Sequence, residues 1–541
     1  MGGSLSNPLT VLSSRFEDRG ANTGQGGEFS LGNYFRGEQA AIFGGVEYHA
    51  PWAPLVFKVE YDGNDYQNEP QDNNQSARSP LNFGVLYKVN NAFDISLGWE
   101  RGEELMLGFS LHTNFISDAE QPKVLDPKPV AYRPDGQSAQ NVDWAQATQL
   151  LKSNAGLDVS RIEQRGNELV VFADQRKYRN VFKAYGRASR ILANVIDPEI
   201  RWFSFVETER GIPLQQTTLE RKSAEQAFRY EADKSDLFAA TDVIRPESVT
   251  GKLEYQSSGQ PFRYWLSPGF TQSIGGPDGF ILYEISAKAS AEYNFQPNTW
   301  LSGGLVAGVI SNFDKFDYTA PSDLPRVRTN IKEYLTTSDV RLGNLQLTHV
   351  EQLADDWFVQ GYAGYLESMF GGIGAEILYR PFGEEWAIGA DINYVQQRDF
   401  DMAFGFRDYD VITGHGTLYY PMPWLKSTLA KVSVGRYLAK DMGVTFDFSR
   451  SFENGVRLGG WATFTDVSSE DFGEGSFDKG VYVELPLDLF FAKSSSQSTR
   501  LNWSFLTRDG GARLNRRYQL YNLVSRSNPR QVRQSFARVL D

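Results

Sequence analysis

Cysteine is absent from the 541 residues, and histidine occurs only four times. The first absence excludes disulfide frameworks, thiolate nucleophiles and cysteine-ligated zinc or iron–sulfur sites, so thiols reveal no redox compartment. The histidines, His49, His112, His349 and His415, are dispersed and share no metal-binding spacing. Long apolar runs are also missing: no stretch of about 18 apolar residues occurs, so no helix of this chain spans a bilayer by hydropathy. That test leaves a transmembrane barrel untouched, because barrel strands are short and alternating, and 50 glycines with 14% aromatic residues suit one. Positive charge is in deficit, 54 Lys and Arg against 67 Asp and Glu for a net −13, which argues against a nucleic-acid backbone as the main partner. Met1 through Thr23 lack the basic, apolar and small-residue regions of a secretory signal. A cytoplasmic protein, or a mature or truncated form of an exported one, fits that start, and the residues further along select the second.

Alternation with a period of two dominates what is there. At 541 residues the chain exceeds the roughly 100 to 200 of one domain, so several folding units or one large barrel are expected. Leu81, Phe83, Val85, Tyr87 and Val89 oppose Asn82, Gly84, Leu86 and Lys88, and Phe93 to Glu100 and Leu105 to His112 repeat the pattern. Turn chemistry at Asn90-Asn91 and Arg101-Gly102 makes residues from about Glu28 to Phe115 an antiparallel meander of roughly five or six strands.

After Ile116 the texture changes. Pro122, Pro127, Pro129 and Pro134 mark a linker, and the period then switches to 3.6. Trp144, Ala147 and Leu151 share a helical face, with Asn141 or Asp143 to cap it and Gly156 to end it. Val181, Tyr185, Ala188, Leu192 and Val195 form a longer helix between strand-like Leu169 to Phe172 and Ile200 to Val206. This order reads as a small α/β or α+β module ending near Tyr230, followed by a polar connector to about Gln260.

Alternation returns at Phe262 and persists. Ile281, Tyr283, Ile285, Ala287, Ala289, Ala291 and Tyr293 oppose a polar face, and so do Trp386, Ile388, Ala390, Ile392 and Tyr394. Further segments lie near Leu301 to Val309, Trp357 to Tyr365, Ile373 to Arg380, Lys431 to Leu438, Met442 to Arg450, Val456 to Phe464 and Val481 to Leu489. Together they amount to roughly 12 to 16 strands, a size suited to one closed barrel. Aromatic residues at the ends of the apolar faces fit interfacial girdles, and long polar segments at Asp62 to Ser79 and Asn312 to Thr329 contrast with the short turn Pro381-Phe382-Gly383. The opposite faces carry Glu284, Lys288, Glu292, Glu376, Arg380, Asp391, Asp447, Arg457, Glu484 and Asp488, which suit a wet lumen; in a soluble sandwich they would form the solvent face.

Several blocks carry a family resemblance. Lys58-Val59-Glu60-Tyr61-Asp62-Gly63-Asn64-Asp65-Tyr66, Trp99-Glu100-Arg101-Gly102 through Leu107-Gly108, Leu324-Pro325-Arg326-Val327-Arg328-Thr329, Met369 to Glu376, Lys479 to Phe490 and Leu506 to Gly511 resemble the YjbH/GfcD family, whose members are encoded with exopolysaccharide and group 4 capsule genes. The similarity runs from about Gly2 to Tyr521. It implies a mostly β protein of the bacterial outer membrane: a complete C-terminal antiparallel β-barrel, the last part of a first barrel, and a periplasmic α/β module joining them. The expected domains are residues 1–117 for the first barrel's strands, 118–260 for linkers and module, 261–523 for the second barrel and 524–541 for a basic tail. Family members begin with a signal peptide and more first-barrel strands, so an N-terminally truncated product is expected; five or six strands cannot close a barrel. The tail, rich in Ser, Arg and Asn, is expected to be disordered.

Export through a pore makes no bonds, so its residues are lumen polars and aromatics that let a hydrated sugar chain slide. The candidates are Glu284, Lys288, Glu292, Glu376, Arg380, Asp391, Asn393, Arg457, Tyr482, Glu484 and Asp488, with Arg326 and Arg328 in the proline-flanked loop. The same charges also neutralise each other structurally, and the two loop arginines serve equally well to hold the loop to barrel carboxylates. An enzyme modifying the sugar chain would need two carboxylates about 5 to 9.5 Å apart, which adjacent strands can supply; a general diffusion porin is a further alternative. No H-E-x-x-H, G-x-S-x-G or complete Walker motif is present, and Gly372-Ile373-Gly374 lacks the third glycine of a dinucleotide loop. The acidic run Asp62 to Asp72 fails the spacing of a helix–loop–helix calcium site and reads as a solvated loop. The expectation is a non-enzymatic pore or scaffold without metal or cofactor. Its expected partners are an exopolysaccharide chain, outer-membrane lipid, companion periplasmic proteins and a lipoprotein of the same secretion system.

Overall fold

The computed structural model describes residues 5–17, 37, 39–51, 54–64, 66, 76–89, 93–112, 123–134, 142–276, 279–317, 323–468, 477–504, 509–525 and 536–541. They belong to two compact units, Met1–Ala119 and Glu120–Asp541.

In the first unit β1 (Leu5–Ser6) pairs with β2 (Gln39–Ala40), and a five-stranded antiparallel meander follows: β3 (Phe43–His49), β4 (Leu55–Asp62), β5 (Leu81–Lys88), β6 (Phe93–Glu100) and β7 (Glu104–Leu111). Register puts Val46 opposite Val59, Val59 opposite Phe83 and Phe83 opposite Trp99, so one face is apolar across the strands, and all four side chains are exposed. The turn at Arg101 and Gly102 holds both at positive φ, 55° and 75°, as a tight hairpin requires. Asn90 and Asn91, the stretch from Glu28 to Arg36, and residues 65 and 67–75 of the acidic loop lie outside the described residues.

The second unit begins with an α/β module. Asp143 accepts a hydrogen bond from the Gln146 amide at 3.0 Å and caps α1 (Trp144–Leu150), a wider turn carries the chain to Ala155, and Gly156 ends it at φ 73°. Asn141, the alternative cap, lies outside the described residues. Then come β8 (Leu157–Arg165), β9 (Glu168–Gln175), α2 (Val181–Val195), β10 (Trp202–Glu209), β11 (Ile212–Glu220), α3 (Arg221–Phe228), α4 (Lys234–Ala239), β12 (Thr241–Ile244) and β13 (Lys252–Gln256). The sheet order is β12-β11-β10-β9-β8-β13. Only β9 and β10 pair in parallel, with α2 as their crossover. Phe182, Tyr185 and Leu192 on α2 bury against Phe203 and Phe205, and Tyr185 stacks on Phe205 at 4.7 Å. Sequence placed the module's end near Tyr230; α4, β12 and β13 extend it to Gln256, because short, mixed-polarity strands at a sheet edge carry little periodicity.

Among the described residues the barrel sheet has thirteen strands, each hydrogen-bonded to the next. They are β14 (Phe262–Gly276), β15 (Gly279–Gln296), β16 (Thr299–Ser311), β17 (Val340–Ala354), β18 (Trp357–Tyr365), β19 (Phe370–Tyr379) and β20 (Ala387–Arg398). The remainder are β21 (Phe406–Pro421), β22 (Thr428–Arg436), β23 (Met442–Ser451), β24 (Arg457–Thr465), β25 (Asp478–Pro486) and β26 (Ser498–Ser504). An odd number of alternating strands leaves β14 and β26 running the same way, so a closing ladder would be parallel. Among the described residues no ladder joins them; Gln272 Nε2 donates to the Asn502 carbonyl at 3.4 Å across the seam. The sheet is thus a nearly closed antiparallel barrel. Outward Ile281 and Ile285 are exposed, whereas inward Leu282, Glu284 and Ser286 are buried.

The rim with the short turns faces the module: Arg245 meets Asp355 at 3.3 Å and Asp356 at 3.0 Å in the β17–β18 turn. The opposite rim carries the long connection after β16, which includes α5 (Ile331–Thr336); its residues 318–322 lie outside the described ones. Beyond β26 the chain turns back through the lumen to α6 (Leu520–Val524). Phe536–Asp541, expected as part of a disordered tail, pack into the module: Phe536 lies 4.8 Å from both Phe182 and Phe238, and Arg190 donates to the Leu540 carbonyl at 2.6 Å. The apolar Phe536 and Val539, not Arg538 between them, decide that outcome.

Candidate functional site

The lumen is the concave, polar interior of the molecule, and the chain's own residues 509–525 run through it. At the long-loop end Asp509 accepts from the backbone amides of Val327 (2.8 Å), Arg328 (2.7 Å) and Thr329 (3.1 Å), and from the Thr329 hydroxyl at 2.7 Å. Three converging amides form a ready-made seat for a carboxylate. Around it Val327, Tyr334, Phe370, Met402, Leu438 and Leu514 form an apolar cluster, so the loop and the returning chain seal this end together.

Charge governs the middle. Glu376 on β19 and Asp391 on β20 stand directly opposite one another. Arg516 lies between them, at 2.9 Å from Glu376 and 3.2 Å from Asp391. All three side chains are almost fully buried, and a buried pair of carboxylates is tolerable only with such a cation. Arg517 donates to Asn344 at 2.8 Å, Arg513 to Ser433 at 3.2 Å, and the Asn515 amide to Glu367 at 3.0 Å. At the module end Tyr518 meets Trp300 edge to face at 5.1 Å, Tyr521 stacks on Tyr419 at 3.8 Å, and the Leu520 amide donates to Glu376 at 3.1 Å.

The module closes that end. Arg210, held at φ 52° in the β10–β11 turn, makes a two-pronged bond to Glu292, both contacts at 2.8 Å, while its guanidinium lies 4.1 Å from the Trp300 ring centroid. Arg263 adds a third contact to Glu292 at 2.6 Å. Ile212 and Leu214 of β11 join Trp300, Phe358 and Leu520 in one cluster. The linker fastens to the rim beside β26: the Asp126 carboxylate accepts from the Ser494 amide (3.0 Å) and hydroxyl (2.6 Å). Burial works to raise that carboxyl, but the two Ser494 donors, with Lys177 and Lys183 nearby, hold it below the usual carboxylate range. Under the terminal turn Tyr178 is pushed up to about 12, chiefly by burial. Its hydroxyl donates to the Asn154 carbonyl at 2.7 Å and accepts from Arg187, whose Nε reaches the Asp541 carbonyl at 3.1 Å.

The sequence-derived candidates therefore divide. Glu284 is buried against Arg341, with contacts of 2.6 and 2.7 Å. Glu376, Asp391 and Asn393 belong to the central network, where Asn393 donates to Asp391 at 2.8 Å and accepts from Tyr362. Tyr482 donates to Asp447 at 2.9 Å beneath the Arg500 guanidinium, and Arg457 pairs with Glu484 at 3.3 Å. Lys288 lies half-buried along the same inner face. Arg380 is buried just past β19, its amide bonded to the Asp356 carbonyl at 2.8 Å. Asp488 sits in a turn beyond β25, which ends at Pro486, and it accepts from the Ser495 amide at 3.0 Å with Lys123 at 3.5 Å. Arg326 is exposed, and its carbonyl accepts from Gln397 at 2.9 Å. Arg328 is held by Glu367 at 2.7 and 3.1 Å and by the Arg513 carbonyl at 2.7 Å. Sequence reasoning missed the residues that fill the lumen, Asp509, Arg513, Arg516 and Arg517. The inward carboxylates were a signal for them, since buried acids require cations from somewhere.

Fold and interior define a β-barrel threaded by its own C-terminal segment and seated on an α/β base. A family model described as "Exopolysaccharide biosynthesis protein YbjH" matches residues 1–526. The chain is also 38% identical over 533 residues to "Uncharacterized lipoprotein YjbH" of Escherichia coli strain K12, which covers 97% of this chain and 76% of that protein. The chain belongs to the YjbH exopolysaccharide biosynthesis family.

Proposed function

We propose that this chain is an outer-membrane barrel protein of exopolysaccharide export or assembly, a scaffold whose conduit is shut by residues 509–525. The observation that carries this reading is Arg516 clamped between Glu376 and Asp391 in the middle of the lumen. A general diffusion porin needs a water-filled lumen, and a clamped segment is the opposite arrangement. The same clamp disfavours a hydrolase, because a carboxylate committed to a buried arginine is a poor general acid or base.

Several features support the membrane setting. Outward Ile281, Ile285, Ile373, Ile377, Ile388 and Ile392 are exposed, an apolar band that water would penalise and lipid would cover. Aromatic clusters mark both ends of the band: Trp357, Tyr379 and Trp386 near the module rim, with ring centroids 4.8 and 5.8 Å apart, and Tyr365 with Phe404 and Phe406 at 5.7 and 5.4 Å on the other rim. The module then lies on the periplasmic side, under the short turns, where companion periplasmic proteins and a lipoprotein of the system would meet it. The open apolar sheet of the first unit fits the last strands of a further barrel. Sugar passage requires the C-terminal segment to move.

The test is genetic. Deleting the gene should reduce surface or secreted polysaccharide while leaving small-sugar uptake unchanged, and the intact chain should restore it. Unchanged polysaccharide with altered solute uptake would refute the reading.

A further inference from the structure

The C-terminal segment does not fill the lumen evenly. Its hydrogen bonds and ring contacts with barrel strands fall on β16 to β22, through Trp300, Asn344, Gln360, Glu376, Tyr419 and Ser433. The opposite inner wall, where β24 to β26 meet β14 and β15 at the unlaced seam, is differently built. On the two seam strands themselves inward residues stay open to solvent: Trp265 on β14 is 41% exposed although its register partner is the inward-facing Ser290, and Arg500 and Asn502 on β26 are exposed although they stand opposite Glu484 and the buried Tyr482. Such inward exposure requires space between wall and segment.

The residues along that space share a chemistry. Trp461, half-buried, and Trp265 supply flat apolar faces, while the Tyr482 ring is buried. The Arg500 guanidinium lies 3.7 Å from the Tyr482 ring centroid, and its Nε donates to Asn502 at 2.9 Å. Lys288, opposite Ser267 of β14, pairs with no carboxylate among the described residues. Glycine keeps the wall low: a Cβ at Gly459 would collide with the Tyr482 ring, and one at Gly480 with Trp461. The two free-facing cations lie at different heights. Gln272 lies beside Asn502 at the seam, so Arg500, two residues nearer the module on a strand running the same way, is level with about Phe270; Ser267, level with Lys288, is three residues nearer still, about 10 Å along the strand. Two cations at separate heights along one wall suit a chain that carries acidic groups at intervals.

We infer that the seam wall is a binding track for an acidic polysaccharide, with Trp461 and Trp265 stacking on sugar rings and Arg500, seated on Tyr482, and Lys288 pairing with carboxylates. Aromatic faces take the apolar CH side of a pyranose, and cations spaced along the wall take its acidic substituents. The proposal rests on the exopolysaccharide reading above and adds to it the class of sugar and the wall that holds it. The track also explains how one barrel keeps a segment clamped on one side and a wet surface on the other.

Binding to the full chain in detergent, followed by tryptophan fluorescence and calorimetry, tests it with three polymers: a short polyuronate, neutral dextran and polyglutamate. The polyuronate is expected to bind, and Trp265→Ala and the pair Lys288→Gln with Arg500→Gln are each expected to weaken it about tenfold. Lys152→Gln, at an exposed position on the module, should leave binding unchanged. Equal binding of polyglutamate would reduce the track to bulk charge, and equal binding of dextran would remove the acidic preference; either overturns the proposal. So does unaltered polyuronate binding in both wall variants, provided that their melting matches the parent. Failure here with polysaccharide still restored by the intact gene would sink the track alone, whereas loss of the genetic effect would sink the reading beneath it.

Discussion

Arg516 shows how one side chain can hold a segment inside a barrel. Its two nitrogens satisfy Glu376 and Asp391 on neighbouring strands, so removing it strands two buried carboxylates. Arg516→Ala is expected to cost about 3–5 kcal/mol, read as a lower melting temperature. Adding Glu376→Gln and Asp391→Asn should recover much of that loss, and a strictly additive cycle would mean that the three do not act together. Asp126 gives a pH dependence with a definite sign. Its folded carboxyl lies below the ordinary value of 3.8, so its contribution is complete above that value and is lost as pH falls through the lower, folded one. Hydrogen exchange should therefore show the stretch around Ser494 loosening below about pH 4, and Asp126→Asn should show the same loosening at neutral pH.

Elements differ in how far the sequence announces them. The strands of the barrel and helix α2 were legible because period 2 and period 3.6 are imposed by burial of one face, as Ile281 to Tyr293 and Tyr185 to Leu192 illustrate. The returning segment was not legible. Arg513, Leu514, Asn515, Arg516 and Arg517 have no period, because an irregular strand inside a polar lumen is fixed by individual partners and not by a face. The terminal turn was hidden for the same reason, with two apolar residues, Phe536 and Val539, carrying it into the module core. Gly186 of α2 makes room for it: a Cβ there would collide with the Val539 carbonyl. Gly186→Ala raises intrinsic helix preference by roughly 1 kcal/mol, yet it should release residues 536–541 to carboxypeptidase, as should Phe536→Ala through the loss of about 3–5 kcal/mol of packing. Resistance of the terminus in both variants would show that the turn is held elsewhere.

At the scale of the second unit, module, barrel and C-terminal segment form one closed circuit. The chain leaves the module for the barrel, goes round thirteen strands, returns through the lumen and ends in the module. Arg210 fastens the base to Glu292 at the mouth, so a force on the module reaches the barrel and the segment together. Among the lumen candidates read from sequence, Glu284, Glu292, Glu376 and Asp391 have structural cations as partners, while Lys288, Arg457, Tyr482 and Glu484 line the seam side. Alternation reveals which side chains face inward, but which of them meet protein and which meet water depends on the segment that alternation does not register. Planar-bilayer conductance tests the closed lumen most directly, comparing the intact chain with one ending after β26 and with Arg516→Ala. The intact chain is expected to stay shut while the shortened chain, and more briefly the substituted one, give discrete conducting steps. Steady steps from the intact chain, equal in size to those of the shortened one, would contradict a lumen closed by its own C-terminus.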